Sequence, residues 1–318
     1  MMPNNRKIEL QKVKGQNKTD ILILDKLNLS TMKYKIFFTF TLISAIRFGA
    51  FSQTPLQAEQ VSKTEISPEE KTLQSQWANK RVAFFGDSMT DKRRVGTTYV
   101  YWEYLTELIG IQPLVYGING NQWDGIYRQA KKLHKEKGAE VDAILIFAGT
   151  NDYNRGIPIG SFLQETIKET NHNGKKVSRK YRVPIVNDTT FCGRINKVLS
   201  YLKDSFPEQQ VVIMTPIHRG YAKFNLENVQ PDENYANAQG LYLDAYVNAL
   251  KQAASYWSVP LIDLHSLSGL YPLSESHAKY FNNKDTDMLH PNANGDYRLA
   301  KTIQYQLLAL PSTFVTTQ

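Results

Sequence analysis

Residues 81 to 91 read Arg81-Val82-Ala83-Phe84-Phe85-Gly86-Asp87-Ser88-Met89-Thr90-Asp91, an apolar run that stops at a glycine and turns polar. A short, unbroken run of β-branched and aromatic residues suits a strand buried on both faces of a parallel sheet. The same form recurs at Leu114 to Tyr116, Ala143 to Ala148, Val211 to Thr215 and Pro260 to Ile262. Between the runs lie segments with apolar residues at helical spacing: Tyr101, Tyr104, Leu105 and Leu108; Ile195, Val198, Leu199 and Leu202; Leu241, Ala245 and Leu250. Strand alternating with helix predicts a single α/β domain with helices on both faces of one parallel sheet.

In such sheets ligands bind beyond the carboxyl ends of the strands, so the residues just after each apolar run carry the information. They are Gly86-Asp87-Ser88-Met89-Thr90-Asp91, then Gly117-Ile118-Asn119-Gly120-Asn121, then Gly149-Thr150-Asn151-Asp152. Three small, polar, turn-forming clusters are predicted to meet at one edge of the sheet. A serine hydroxyl there needs a base to take its proton and a third group to hold that base. Of the six histidines, only His290 sits in an Asp-x-x-His-Pro pattern, Asp287-Met288-Leu289-His290-Pro291. Pro291 disfavours helical dihedrals at His290 and suits a first helical position, while Leu299, Ile303 and Leu307 supply a helix face behind it. Asp287 and His290 are therefore expected on a loop before the last helix, with the carboxylate in reach of the imidazole Nδ1.

Taken singly these signals have plainer readings. Ser88 could be a turn or capping serine, Asn151 and Asp152 could cap a helix, and His290 could be solvated. Together, in the order Gly-Asp-Ser, Gly, Gly-x-Asn-Asp and Asp-x-x-His-Pro, they resemble the SGNH hydrolase superfamily, the GDSL-type esterases and lipases, over about residues 81 to 309. The resemblance implies a three-layer α/β/α, flavodoxin-like fold with a five-stranded parallel sheet. It also implies a serine esterase that needs no cofactor. It makes Ser88 the nucleophile, His290 the general base and Asp287 its orienting partner, and it assigns the oxyanion hole to the Ser88 and Gly120 N–H groups and the Asn151 amide. In the second block Gly120 is the better match, with Gly117 the alternative. A nucleophile elbow of the α/β-hydrolase kind is excluded because Thr90 stands where glycine is required, and neither Gly86 nor Gly117 opens a phosphate-binding loop.

The rest of the composition bounds the reading. Of the net charge of +8, residues 1 to 52 hold nine Lys/Arg against three acids, so about +2 remains for the rest and no nucleic-acid partner is indicated. From Met32 the chain reads as a secretory signal peptide: Lys33 and Lys35, an apolar run from Ile36 to Ile46, then Ala50-Phe51-Ser52 with cleavage before Gln53. The expected organisation is a leader with signal peptide over 1–52 (translation starting at Met32), a polar linker over 53–75, and the hydrolase domain over 76–318. An exported, periplasmic or extracellular bacterial protein without a stable membrane span follows from that reading. The single cysteine, Cys192, is read as a small core residue, and no His/Asp/Glu/Cys set has metal-ligand spacing. The cluster Tyr99, Tyr101, Trp102 and Tyr104 is read as helix packing.

The resemblance fixes the reaction better than the substrate. Removal of acetyl or similar small acyl groups from carbohydrate is the leading expectation. The alternatives are a lipase or lysophospholipase, or a glycan-binding protein that has lost the chemistry. Residues 153 to 190 carry Arg155, Lys168, Lys175, Lys176, Arg179, Lys180 and Arg182 against Glu165, Glu169 and Asp188, an excess of +4. They are expected either to make a solvated excursion with a short helix near Phe162 to Ile167, or to wall the cleft and engage a polar or acidic polymer.

Overall fold

A computed structural model of the chain describes residues 61–71, 75–93, 97–138 and 140–310, all within the compact unit Gln53–Gln318. The leader and signal-peptide reading of residues 1 to 52 lies outside the described residues. Five strands, β1 (Arg81–Gly86), β2 (Gln112–Val115), β3 (Ala143–Phe147), β6 (Gln210–Met214) and β9 (Leu261–Ile262), form a parallel sheet in the order β2-β1-β3-β6-β9. They are the five apolar runs read from the sequence.

Alternation along each strand sorts its side chains to opposite faces. Ala83 and Phe85, Ile144 and Ile146, Val211 and Ile213 face one core with α3 (Trp123–Lys137), α5 (Phe191–Ser205) and α6 (Leu243–Trp257). Val82 and Phe84, Leu145 and Phe147, Val212 and Met214 face the other, with α2 (Tyr101–Ile109) and α8 (Ala293–Ala309). The result is a three-layer α/β/α fold. Each large apolar side chain buried this way contributes about 1.5–3 kcal/mol. Tyr101 and Tyr104 are fully buried, in keeping with a packing role for the aromatic cluster.

In chain order these five strands run 2-1-3-4-5, so the winding reverses between β1 and β3, and the crevice that receives ligands in doubly wound sheets lies at their carboxyl ends. Ser88 follows β1, and Asn151 lies in the one-turn α4 (Thr150–Asn154) that follows β3.

Three features differ from expectation. Residues 153 to 190 contain no helix near Phe162; they form a hairpin of β4 (Leu163–His172) and β5 (Lys175–Pro184). Its turn is Asn173-Gly174, both with positive φ, 52° and 76°, the geometry that matches the twist of a tight hairpin. Asp287 and His290 stand on a strand and not on a loop: β11 (Asp287–Pro291) belongs to a second sheet, β10-β11-β7-β8, with β7 (Ala222–Lys223), β8 (Val229–Gln230) and β10 (Phe281–Asn283). Pro291 ends that strand opposite Phe281 and does not start the helix. Asn292 caps α8 instead, its Oδ1 accepting from the Asn294 and Gly295 N–H groups at 3.0 and 3.2 Å. The shorter helices are α1 (Pro68–Lys71), α7 (Leu264–Leu267) and a 3-10 turn at Glu275–Tyr280.

Part of the stretch read as a linker, 53–75, lies against the domain. The Thr64 N–H donates to the Tyr104 hydroxyl at 2.9 Å, the Thr64 hydroxyl donates to Asn294 Oδ1 at 2.8 Å, and Ile66 is buried.

Candidate active site

The turn after β1 is wound around Asp87. Its Oδ1 accepts the Met89 N–H at 3.0 Å, and its carbonyl accepts the N–H groups of Thr90 and Asp91 at 3.1 and 3.0 Å. Gly86 permits this: a Cβ there would stand 2.3 Å from Thr90 Oγ1 and 2.8 Å from the Phe147 carbonyl. Helix α2 braces the same turn through Tyr101, 3.0 Å from Thr90 Oγ1, and through the Trp102 indole N–H, which donates to the Thr90 carbonyl at 3.0 Å.

The opposite wall comes from β11, held by Gly220 N–H to Met288 O at 3.0 Å and Met288 N–H to Tyr221 O at 2.9 Å. Asp287 Oδ1 accepts the N–H groups of Leu289 and His290 at 3.2 and 3.0 Å, and Oδ2 accepts from Asn282 Nδ2 at 3.0 Å. The imidazole Nδ1 lies 3.0 Å from both carboxylate oxygens, and Nε2 lies 2.8 Å from Ser88 Oγ. An ionised carboxylate only accepts, so Nδ1 carries the proton and Nε2 is left to accept from the serine hydroxyl. Burial alone would raise the Asp287 pKa, but the hydrogen bonds from His290 and Asn282 outweigh it and hold the group below its usual range. Ser88, His290 and Asp287 are 5%, 7% and 8% exposed, so this relay is largely dry. The Phe224 ring lies 5.5 Å from the imidazole ring, centre to centre.

The three strand-end clusters do meet. Asn151 Nδ2 donates to Asp87 Oδ2 and to the Asn121 carbonyl, both at 3.1 Å, and so ties the turns after β1, β2 and β3 together. Asp91 Oδ2 accepts the Asn119 N–H at 2.9 Å. The two glycines of the second block have different surroundings. Gly117 is buried under Thr90, where a Cβ would stand 2.6 Å from the threonine Cβ; Gly120 is exposed, has φ 76° and has open space on its Cβ side.

Asp152 does not reach the crevice. It is fully buried, accepts the Trp123 N–H at the start of α3 at 3.1 Å and pairs with Arg194 at 3.0 Å. Burial, opposed by Arg194, pushes its carboxyl up to about 7. Cys192 is a core thiol pushed up to about 12 by burial. Among the described residues no group of three or more His, Cys, Asp or Glu is placed to hold a metal ion, and no helix is long and apolar enough to cross a membrane.

Sequence reasoning missed Arg219, which is 1% exposed. Its Nη1 donates to the carbonyl and hydroxyl of Thr150, both at 3.3 Å, and its Nη2 donates to Asn154 at 3.4 Å and Gln230 at 2.7 Å. The guanidinium lies 5.3 Å from the Tyr153 ring centre. It thus grips both ends of α4, the helix that carries Asn151. Burial pushes it down to about 10. The signal that would have found it is the strand-end rule itself, extended to the residues after β6.

Two spaces lie near this site, neither of them lined by Ser88, Gly120, Asn151, Asp287 or His290. A small apolar cavity of about 10 Å³ is lined by Asp87, Met89, Phe147, Thr150, Ile217 and Leu289, among others. A cleft of about 520 Å³ is lined by Trp102, Tyr116, Ile118, Asn121, Arg128 and Lys132, among others.

Residues 84–298 match the model of the GDSL-like lipase/acylhydrolase family, more than half of the chain. No curated protein matches the sequence. Among solved structures, "a possible lipase" from Chitinophaga pinensis is 20% identical with a TM-score of 0.54, the match covering 73% of this chain and all of that one. A protein from Lactobacillus plantarum is 21% identical with a TM-score of 0.53, covering 72% of this chain and 97% of that one. At these identities the likeness is one of fold. The family match joins that fold to the ordered Gly-Asp-Ser, Gly-x-Asn-Asp and Asp-x-x-His-Pro blocks: the chain belongs to the GDSL-like lipase/acylhydrolase family of the SGNH superfamily and is a hydrolase of ester bonds.

Proposed function

We propose that the protein hydrolyses O-acyl esters through Ser88, His290 and Asp287. The observation that carries this is the unbroken hydrogen-bonded line from Ser88 Oγ through His290 to Asp287. Ser88 Oγ attacks the acyl carbonyl while His290 Nε2 takes its proton, and Asp287 holds the imidazole tautomer and steadies the charge it gains. The oxyanion takes hydrogen bonds from the N–H groups of Ser88 and Gly120 and from Asn151 Nδ2, which gives up its bond to Asp87 or to the Asn121 carbonyl as charge develops. Collapse of the intermediate breaks the ester C–O bond, and His290 returns the proton to the departing alcohol. Water, deprotonated by the same imidazole, then attacks the acyl-enzyme and releases the acid and free Ser88.

We further infer that the acyl group is small, acetyl or similar, and the alcohol a carbohydrate. The acyl preference rests on the sequence reading: the cavity of about 10 Å³ is lined by Asp87, Met89 and Leu289, neighbours in sequence of Ser88 and His290, and not by those two residues, so its size does not bound the acyl group. The larger cleft, with Trp102 and Tyr116 among charged and amide side chains, has the mixed apolar and hydrogen-bonding lining that sugar rings require. Export follows from the sequence at Met32 to Gln53 and is part of the same proposal.

The test is a panel of p-nitrophenyl esters from acetyl to palmitoyl, with acetylated xylan and pectin, on the protein and its Ser88→Ala variant. Acetate preference with release from an acetylated glycan is expected. Preference for long chains would replace this reading with a lipase, and no activity on any ester with a glycan-binding protein.

A further inference from the structure

The β4–β5 hairpin stands outside the three-layer body: apart from its first and last few positions nearly every residue is exposed, and among the described residues neither edge pairs with another strand. Directly opposed residues share a face, so the register sorts its charges. One face carries Glu165, Ile167 and Glu169 opposite Arg182, Lys180 and Ser178, with Lys176 nearer the tip. Both acids of the hairpin are here, and Glu165 pairs with Lys180 at 3.0 Å. The other face carries Thr166, Lys168, Thr170 and His172 opposite Tyr181, Arg179, Val177 and Lys175. It has no acid at all.

On that second face Lys168 stands directly across from Arg179, and like charges in such a pair destabilise a hairpin. Among the described residues none of Lys168, Lys175 and Arg179 has a carboxylate within ion-pair distance. An isolated two-stranded ribbon is at best marginally stable, so a face that adds repulsion is one whose stability improves when an anion covers it. The Lys168–Arg179 rung and the His172–Lys175 rung are four residues apart, about 13 Å along the strand. A ligand that meets both is an extended polyanion and not a single small anion.

We propose that this face is a docking surface for an acidic polysaccharide, which brings acylated chains to the enzyme; this rests on the carbohydrate-esterase reading above. The tip, His172-Asn173-Gly174-Lys175, offers no apolar wedge for a bilayer. Tyr181, the hairpin's one aromatic ring, is covered by Lys168 Nζ at 3.9 Å from its centre and is not a free platform for stacked bases.

The test compares three proteins: the wild type, Lys168→Thr/Lys175→Thr/Arg179→Thr, and Lys176→Thr/Lys180→Thr/Arg182→Thr, which loses equal charge from the opposite face. Binding is measured to polygalacturonate, to monomeric galacturonate, to neutral xylan, to phosphatidylglycerol vesicles and to duplex DNA, at low and high salt. Wild type should bind polygalacturonate, and more weakly as salt rises. The first variant should bind about tenfold less tightly or worse, three exposed ion pairs each being worth a few-fold; the second should stay within about threefold. Equal weakening of both variants, failure of the wild type to bind, equal affinity for the monomer, or tighter binding to vesicles or DNA would each overturn the assignment. p-Nitrophenyl acetate turnover, equal in all three proteins, shows that they are folded. Its absence in all three would count against the esterase reading, with glycan binding scored separately.

Discussion

On the proposed mechanism Ser88 and His290 act as one unit, so Ser88→Ala and His290→Ala should each lower kcat on p-nitrophenyl acetate by several orders of magnitude, with unchanged thermal unfolding. Asn151→Ala should lower kcat by roughly 10²- to 10³-fold at nearly constant KM, because an oxyanion donor acts in the transition state; a rise in KM alone would mark it as a binding residue. Asp287 ties activity to pH and stability. Its folded pKa lies below its ordinary value of 3.8, so its hydrogen bonds stabilise the fold above that value and the contribution is lost as pH falls through the lowered one. The melting-temperature gap between wild type and Asp287→Asn should therefore be full at neutral pH and narrow below about pH 4. Arg219→Met keeps the stem but frees α4. kcat is expected to fall about 10- to 100-fold with little change in KM, and Arg219→Lys to recover part of it. Ser88, His290 and Asn151 were legible because each chemistry needs its residue type at a recognisable spacing. Arg219 was not, since an arginine is ordinarily an exposed cation and only its place shortly after β6 ties it to the strand-end crevice.

At the scale of elements, β11 and α8 meet through Gly295, where a Cβ would stand 2.2 Å from the Tyr280 carbonyl and 2.7 Å from the Pro291 ring. Gly295→Ala should cost about 1–3 kcal/mol by overpacking and, by pushing the helix from the residue next to His290, should lower kcat more than a stability loss of that size explains. Urea unfolding and steady-state kinetics on the same preparation separate the two. The central strands could be read because burial on both faces leaves unbroken apolar runs, as in Ala143 to Phe147. The hairpin could not, because its strands have polar residues on both faces and no period-two apolar pattern; Asn173-Gly174 was the one local sign. Strands of two to five residues such as β7, β8, β10 and β11 are made by their tertiary neighbours, so Asp287 and His290 looked like loop residues.

Across the whole molecule, the leader reading places the mature N-terminus near Gln53, which N-terminal sequencing of exported protein would settle; an intact Met1 would remove the case for export. The nucleophile and its base are also far apart in sequence, 202 residues, and come from different sheets, one finished early in the chain and one near its end. Synthesis therefore delivers the serine long before the imidazole proposed to activate it. On the proposed mechanism, until β11 brings His290 to Ser88 the growing polypeptide carries only an ordinary alcohol. On that mechanism, chain order alone would keep the nucleophile silent while the polypeptide is being made.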